Sequence, residues 1–293
     1  MLLAGKLPLK YFFMSTKKDI LYISVVTTIL FFLHLEFNFF KMPILVSAIL
    51  GTTIALILSF RLSQSYERWW EARQIWGSIT NDSRTLVLQV LNFTNEKEQD
   101  KANIIAKMQI VWVNNLSHTL RDQNIDELYV KKYLPSHVQA SILKSRQSVL
   151  DVSNLLYKEL EQLTSIDSYK RMQINTTLVK LVDNMGKSER IKKTVFPIEY
   201  PFYLHMSIYL FVAFMSISLA NLGHHWEIFL IIFISSPFFM LEKAAEHLQD
   251  PFENRPSDIP LSAMARGIEI NILRLLAAEE VPPTYESNEF YLN

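Results

Sequence analysis

"SFRLSQSYERWWEARQIW" occupies residues 59–76. Its first two residues close an apolar run that begins just after Lys41. The chain then passes, with no glycine or proline until Gly77, into Arg61, Glu67, Arg68, Glu71 and Arg73, with Trp69, Trp70 and Trp76 interleaved. Nothing marks a stop at the lipid boundary, so the pattern predicts one helix that leaves the membrane near Arg61 and continues through Trp76. On that helix Thr52, Leu56 and Phe60 stack on one face at i, i+4 spacing. Trp69 and Trp70, flanked by Arg68 and Arg73, stand where interfacial aromatics or packed bundle aromatics stand.

Composition sets the frame around this stretch. The 293 residues are 49% apolar and 20% charged, as expected of a membrane protein with a substantial water-facing part. The 29 basic and 29 acidic side chains cancel, which removes the electrostatic case for nucleic acid as a partner. The chain has no cysteine, which excludes disulfides, zinc-thiolate sites and thiol catalysis.

A bilayer core takes roughly 20 apolar residues per helix. The sequence predicts four such spans: "ILYISVVTTILFFLHLEF" (20–37), "MPILVSAILGTTIALILSF" (42–60), "PFYLHMSIYLFVAFMSISLANL" (201–222) and "WEIFLIIFISSPFFML" (226–241). Short separations make each pair a tight hairpin. Lys6, Lys10, Lys17, Lys18, Arg61, Arg68, Arg73, Lys192, Lys193 and Lys243 all flank the same side, whereas the two tips share a single lysine. The positive-inside rule therefore places both termini in the cytoplasm of a multi-pass inner (plasma) membrane protein. The expected organisation is 1–76 with the first hairpin, 77–200 as a cytoplasmic helical region, 201–241 as the second hairpin, and 242–293 as a cytoplasmic C-terminal segment. Met1–Phe13 mixes lysines with leucine and aromatics, as an interfacial segment or an unstructured lead-in would.

Between the hairpins, apolar residues recur at three- and four-residue spacing with charges between them, and strand alternation is missing. Helices are expected over "NIIAKMQIVWVNNLSHTLRD", "VQASILKSRQSVLDVSNLLYKELEQL" and "QINTTLVKLVDNM", the last leading to Gly186. Breaks are expected near residues 92–100, at Pro135 and near 165–168. Beyond the fourth span, three prolines precede an amphipathic helix, and the end of the chain looks extended or disordered.

"FRLSQSYERWWEARQIWGSITNDSRTL" resembles the signature of the bestrophin family in its prokaryotic branch, F-R-x-x-x-S-Y-x-R followed by W-E-A-R-x-x-W-G and S-R-T-L. The motif positions are Arg61, Ser65, Tyr66, Arg68, Trp69, Trp70, Glu71, Arg73, Trp76 and Gly77. "LEKAAEHLQDPFENRPSDIPLSAMARGIEINIL" resembles the family's second hallmark, with Asp250, Pro251 and Phe252 followed by D-x-P-L-x-x-M. The resemblance implies an all-α membrane protein, with four transmembrane helices continuous with a cytoplasmic helical bundle. It also implies a homopentamer around one axial pore, lined in the membrane by the second span. The family's apolar neck matches Thr52, Leu56 and Phe60, with Thr52 departing from the bulky apolar side chain expected there. A ring of apolar side chains offers an ion no substitute for its hydration shell, so a narrow ring gates by dewetting. A second, cytoplasmic aperture is implied near Tyr169 or, one turn on, Met172.

The resemblance implies a chloride or other anion channel, with monovalent-cation (sodium) selectivity as the alternative. Glu67 and Glu71 favour cations; Arg61, Lys170 and Arg171 favour anions. Eukaryotic relatives bind calcium on a dense acidic run, where this chain offers only Glu253 and Asp258, so no resident calcium and no other cofactor is expected. Partners are then other copies of the chain, lipid and the permeant ion. Glu242, Glu246 and His247 cluster after the fourth span without the Glu-x-x-His spacing of a di-iron site. His205 and Glu36 are ionisable groups in or beside apolar spans, where such groups are costly and often functional. With no P-loop, dinucleotide fingerprint, G-x-S-x-G or H-E-x-x-H, the chain does not read as an enzyme. A membrane-anchored helical scaffold or sensor is the reading of a different class.

Overall fold

The computed structural model describes residues 9–37, 42–124, 126–144, 149–194, 197, 199–220 and 226–285. Among these residues the regular elements are helical, in the order α1 (Leu9–Phe37), α2 (Ile44–Phe93), α3 (Gln99–Leu120), α4 (Glu127–Tyr133), α5 (Ser136–Lys144), α6 (Val149–Glu161), α7 (Ser168–Lys193), α8 (Glu199–Leu219), α9 (Trp226–Gln249) and α10 (Leu261–Leu275). The expected hairpin tips (38–41 and 223–225), the last two residues of the third expected span (221–222), residues 1–8 of the lead-in and residues 286–293 of the tail lie outside the described residues.

α2 is one helix of 50 residues, about 75 Å long at 1.5 Å per residue. Between Gly51 and Gly77 it holds neither glycine nor proline, so nothing interrupts the hydrogen-bond ladder where apolar gives way to charged sequence. α7 is longer than its pattern announced. It runs through Gly186 to Lys193 instead of ending there, because an exposed glycine inside a helix costs only about 1 kcal/mol and the flanking residues carry the helix on. Asp167 starts α7 by accepting from the Tyr169 and Lys170 amides, both at 2.9 Å, as an N-cap does. The single helix expected across residues 138–163 is given as α5 and α6, with residues 145–148 between them outside the described set.

The chain divides into two compact units. One comprises residues 3–69 and 195–250, the other residues 70–194 and 251–293 with residues 1–2. In the first, α1 packs on α8 and α9, and α8 packs on α9. Ile23, Ile54, Leu58, Ile208, Phe211, Ile231 and Phe239 form its core. Among the described residues α2, α8 and α9 have the length and hydropathy to cross a membrane. Outside this core, Val25, Ile29 and Phe32 of α1, Met206 and Leu210 of α8, and Phe229 and Phe233 of α9 are exposed. That is the surface of a unit whose solvent is lipid.

Apolar burial drives helices together only weakly in lipid, so close approach and polar ties matter more. Gly51 supplies the first: a Cβ there would stand 2.9 Å from the Phe211 ring. Ser47 and Ser218 supply the second, with hydroxyls 3.2 Å apart in a buried position.

In the second unit α3 is central and packs against α4, α6, α7 and α10. Its residues Met108 to Val113 are all buried, as a helix apolar on every side requires. Two of its buried polar groups are tied to neighbouring helices: Gln109 Nε2 donates to Ser83 Oγ at 2.9 Å and Trp112 Nε1 to Ser153 Oγ at 2.7 Å.

Gly51→Ala is expected to lower the thermal unfolding midpoint in detergent, since it displaces the buried Phe211 ring at a cost of about 1–3 kcal/mol. Gly186→Ala, which meets open space, is expected to raise the midpoint through about 1 kcal/mol of helix propensity. Two unchanged midpoints would contradict this account of the two glycines.

Candidate functional site

α2 presents two different faces within the first unit. Ile54 and Leu58 are buried in the core, while Thr52, Leu56 and Phe60 lie on the opposite side, with Leu56 58% and Phe60 59% exposed. Leu45, Ala48, Ile49 and Thr53 join Thr52 and Leu56 along an open, mainly apolar groove. The hydroxyls of Thr52 and Thr53 are spent on the helix itself, donating to Ala48 O and Ile49 O at 2.9 Å. The groove wall is therefore less polar than its composition indicates.

Arg61 follows Phe60 directly and points the other way. Its side chain is 2% exposed and lies 3.6 Å from the Glu242 carboxylate of α9. Arg61, read from the sequence as a charge that favours anions, is instead enclosed within its own unit: a charge so buried needs an internal counterion, and Glu242 supplies it. Glu242 is shared. Its Oε2 lies 2.8 Å from His205 Nδ1, while His205 Nε2 lies 3.2 Å from the Tyr209 hydroxyl, itself 3.3 Å from Asp19 Oδ1. This chain of groups joins α1, α2, α8 and α9. Sequence reading singled out Arg61, His205 and Glu242 separately; their pairing links distant positions and left no local signal. Glu36 is exposed.

The remaining motif residues divide by environment. Ser65 is buried; Tyr66 is exposed and stacks on Trp69, ring centroids 6.1 Å apart. Arg68 is half-buried, and Trp70 is exposed. In the second unit Trp76 is fully buried, and Glu71 pairs with Arg190 at 2.5 Å. Half-buried Arg73 and Gly77 line a groove with Arg84 and Gly267. Asp250 is half-buried and ends the first unit; Pro251 and Phe252 are buried at the start of the loop into α10. Within that loop Pro251 O accepts from the Ile259 amide at 3.2 Å.

The two carboxylates of this loop are already engaged. Glu253 binds Lys192 at 2.8 Å, and Asp258 accepts from the Arg255 amide at 2.9 Å. Burial raises the Asp258 carboxyl to about 6. Among the described residues no three metal-ligating side chains converge.

Tyr169 and Met172 sit in the first turns of α7, exposed by 69% and 58%. What fixes them is the turn before the helix. Glu98 accepts from the Thr164 amide at 3.0 Å, the Thr164 hydroxyl at 2.8 Å and the Ser165 amide at 2.9 Å. The Ser165 hydroxyl above all, and then these bonds, hold its carboxyl down at about 2. Arg171, expected to lend charge to an aperture, instead donates to the carbonyls of Leu160 and Leu163. Lys170 lies over the Phe93 ring, 5.5 Å from its centroid, and 3.8 Å from Asp167.

Residues 14–274 match the family described as Bacterial/Fungal Bestrophin protein. The chain is 31% identical over 265 residues to the voltage-dependent anion channel-forming protein YneE of Escherichia coli K12, spanning 89% of this chain and 84% of the relative. It is 27% identical to the voltage-dependent anion channel-forming protein sll1024 of Synechocystis, over 84% of this chain and 81% of that one. Its fold is similar to the crystal structure of a bacterial bestrophin homolog from Klebsiella pneumoniae, with a TM-score of 0.80 and 27% identity over 89% of this chain and 97% of that one.

The Glu98 bonds carry a pH signature. A carboxylate held below its ordinary 4.5 adds stability that is present above that value and lost as pH falls toward about 2. Glu98→Gln is expected to lower the unfolding midpoint at neutral pH, and the gap from wild type to narrow as the pH falls through this window. A gap independent of pH would contradict the assignment.

Proposed function

The chain belongs to the bacterial and fungal bestrophin family, and we propose that it is a pore-forming anion channel whose neck is the Thr52–Leu56–Phe60 face of α2. The observation that carries the proposal is the exposure of Leu56 and Phe60 on a helix whose other face is packed into the core. Two bulky apolar side chains a turn apart, uncovered within their own unit, form rings when copies of α2 surround one axis. We take the assembly to be a homopentamer. Such rings close by dewetting and conduct when slightly widened.

α1 is the fourth span in this reading. It packs on α8 and α9, buries Ile23 and Phe31, and exposes a run of apolar side chains. The lysine and arginine distribution then sets both termini and the second unit in the cytoplasm of a cell whose inner membrane the four helices cross. Tyr169 and Met172, at the start of α7, form the cytoplasmic aperture. No resident cofactor is involved, since Glu253 and Asp258 are spent on protein donors. Anion rather than sodium permeation follows the activity for which the E. coli and Synechocystis relatives are named. On the cation side Glu71 is neutralised by Arg190.

Hydration physics assigns the gate to Leu56 and Phe60. Thr52, with its hydroxyl bonded back to Ala48, is the least obstructive of the three.

Purified protein in a planar bilayer under a sodium chloride gradient is expected to reverse near the chloride equilibrium potential. Leu56→Ala and Phe60→Ala are each expected to raise the current about tenfold, the effect of about 1.4 kcal/mol on the barrier at a dewetted ring. Reversal near the sodium potential would move the chain to cation permeation. Silence of wild type and of both variants would leave a membrane-anchored scaffold.

A further inference from the structure

Arg61 and Glu242 are buried together, with side chains 2% and 7% exposed, one residue past the last apolar side chain of the neck face. A buried guanidinium that loses its counterion moves until it finds water or another anion. Such a movement of Arg61 carries Phe60 with it, because the two are consecutive on one helix. We propose that Glu242 is a positioning residue for the Phe60 constriction, and that His205, held between Glu242 and the Tyr209–Asp19 pair, makes this positioning depend on a proton. The inference rests on the channel reading above.

The hydrogen-bond inventory of imidazole supplies the switch. In the neutral ring with hydrogen on Nδ1, His205 donates to Glu242 Oε2 at 2.8 Å and its Nε2 accepts from the Tyr209 hydroxyl at 3.2 Å. In the protonated ring both nitrogens donate and neither accepts. Tyr209 must then turn its hydrogen to Asp19 Oδ1 at 3.3 Å. Asp19 also lies 3.8 Å from His205 Nε2, so the imidazolium stands between two carboxylates. One proton thus closes an unbroken charged chain from Asp19 on α1, through α8 and Glu242 on α9, to Arg61 on α2.

Three helices place charged or titratable groups around His205. α1 contributes Asp19, and Tyr22, whose ring meets that of Tyr209 at 5.0 Å. α9 contributes Glu242, Lys243 and the Phe239 ring. Lys243 is itself held by Glu246 at 2.6 Å. α2 contributes Arg61 from across Glu242. The clamped, protonated state holds α2 in the setting that keeps Phe60 in the constriction, whereas the neutral state frees α1 from the chain.

The test is chloride flux from proteoliposomes with equal pH inside and out, at about pH 5.5 and about pH 7.5, either side of the ordinary imidazole value. Wild-type flux is expected to be about fivefold lower at the acid pH, the low end of ordinary coupling between sites. His205→Gln, which keeps a donor for Glu242 but cannot take up a proton, is expected to conduct with that ratio lost. Glu242→Gln is expected to conduct more at both pH values and to lose the ratio too. Tyr209→Phe, which leaves the His205–Glu242 contact intact, gives a reduced ratio and serves if either other variant elutes as aggregate. A conducting wild type with no pH ratio overturns the proposal, as does an unchanged ratio in His205→Gln or Tyr209→Phe. Silence of wild type and of Leu56→Ala alike refutes the channel reading instead.

Discussion

A guanidinium enclosed at the edge of an apolar unit has to be neutralised where it lies, and the contact between Arg61 and Glu242 does this. The consequence is rotational. With Arg61 turned toward α9, and with Ile54 and Leu58 turned into the core, the i, i+4 geometry of the helix leaves Thr52, Leu56 and Phe60 facing away. The neck face is therefore set by what the rest of α2 must bury. The absence of glycine and proline between Gly51 and Gly77 leaves the helix uninterrupted through these turns.

The sequence made part of this visible and hid another part for identifiable reasons. The continuity of α2 was legible because helix breakers are a local signal, and so was the Thr52–Leu56–Phe60 stripe, since i, i+4 spacing is local too. The break before α7 was legible in the turn-forming residues near 165–168, although the helix starts at Ser168, ahead of Gln173 where its expected pattern opens. Its extension through Gly186 was not, because one glycine weakens a helix without ending it. The three tryptophans look alike on paper, yet Trp76 is fully buried and Trp70 is exposed; only the rotation of α2 distinguishes them. The charges misled most. Arg61 and Arg171 read as charges that favour anions, whereas Glu242 and the carbonyls of Leu160 and Leu163 engage them.

The same economy of partners runs through the polar unit. Glu98 and Arg171 bind the turn that launches α7, and Asp167 caps the helix on the Tyr169 and Lys170 amides, so the placing of Tyr169 and Met172 depends on these three side chains. Lys192 draws together Asp122 and Glu253, each at 2.8 Å, and this occupies the loop that in eukaryotic relatives gathers calcium ligands. Leu56 and Phe60 in one unit and Tyr169 and Met172 in the other are exposed apolar or aromatic positions, whereas Arg61 and Arg171 are tied to protein partners.

The central claim is that Leu56 faces the ion path and Leu58 does not. The chain has no cysteine, so a single introduced thiol reports without background. The measurement is the block of chloride current by a water-soluble, charged thiol reagent applied to Leu56→Cys and to Leu58→Cys. The account predicts rapid block of the first and an unaffected second. A Leu56→Cys current that resists the reagent, or a Leu58→Cys current that is blocked at the same rate, would contradict it.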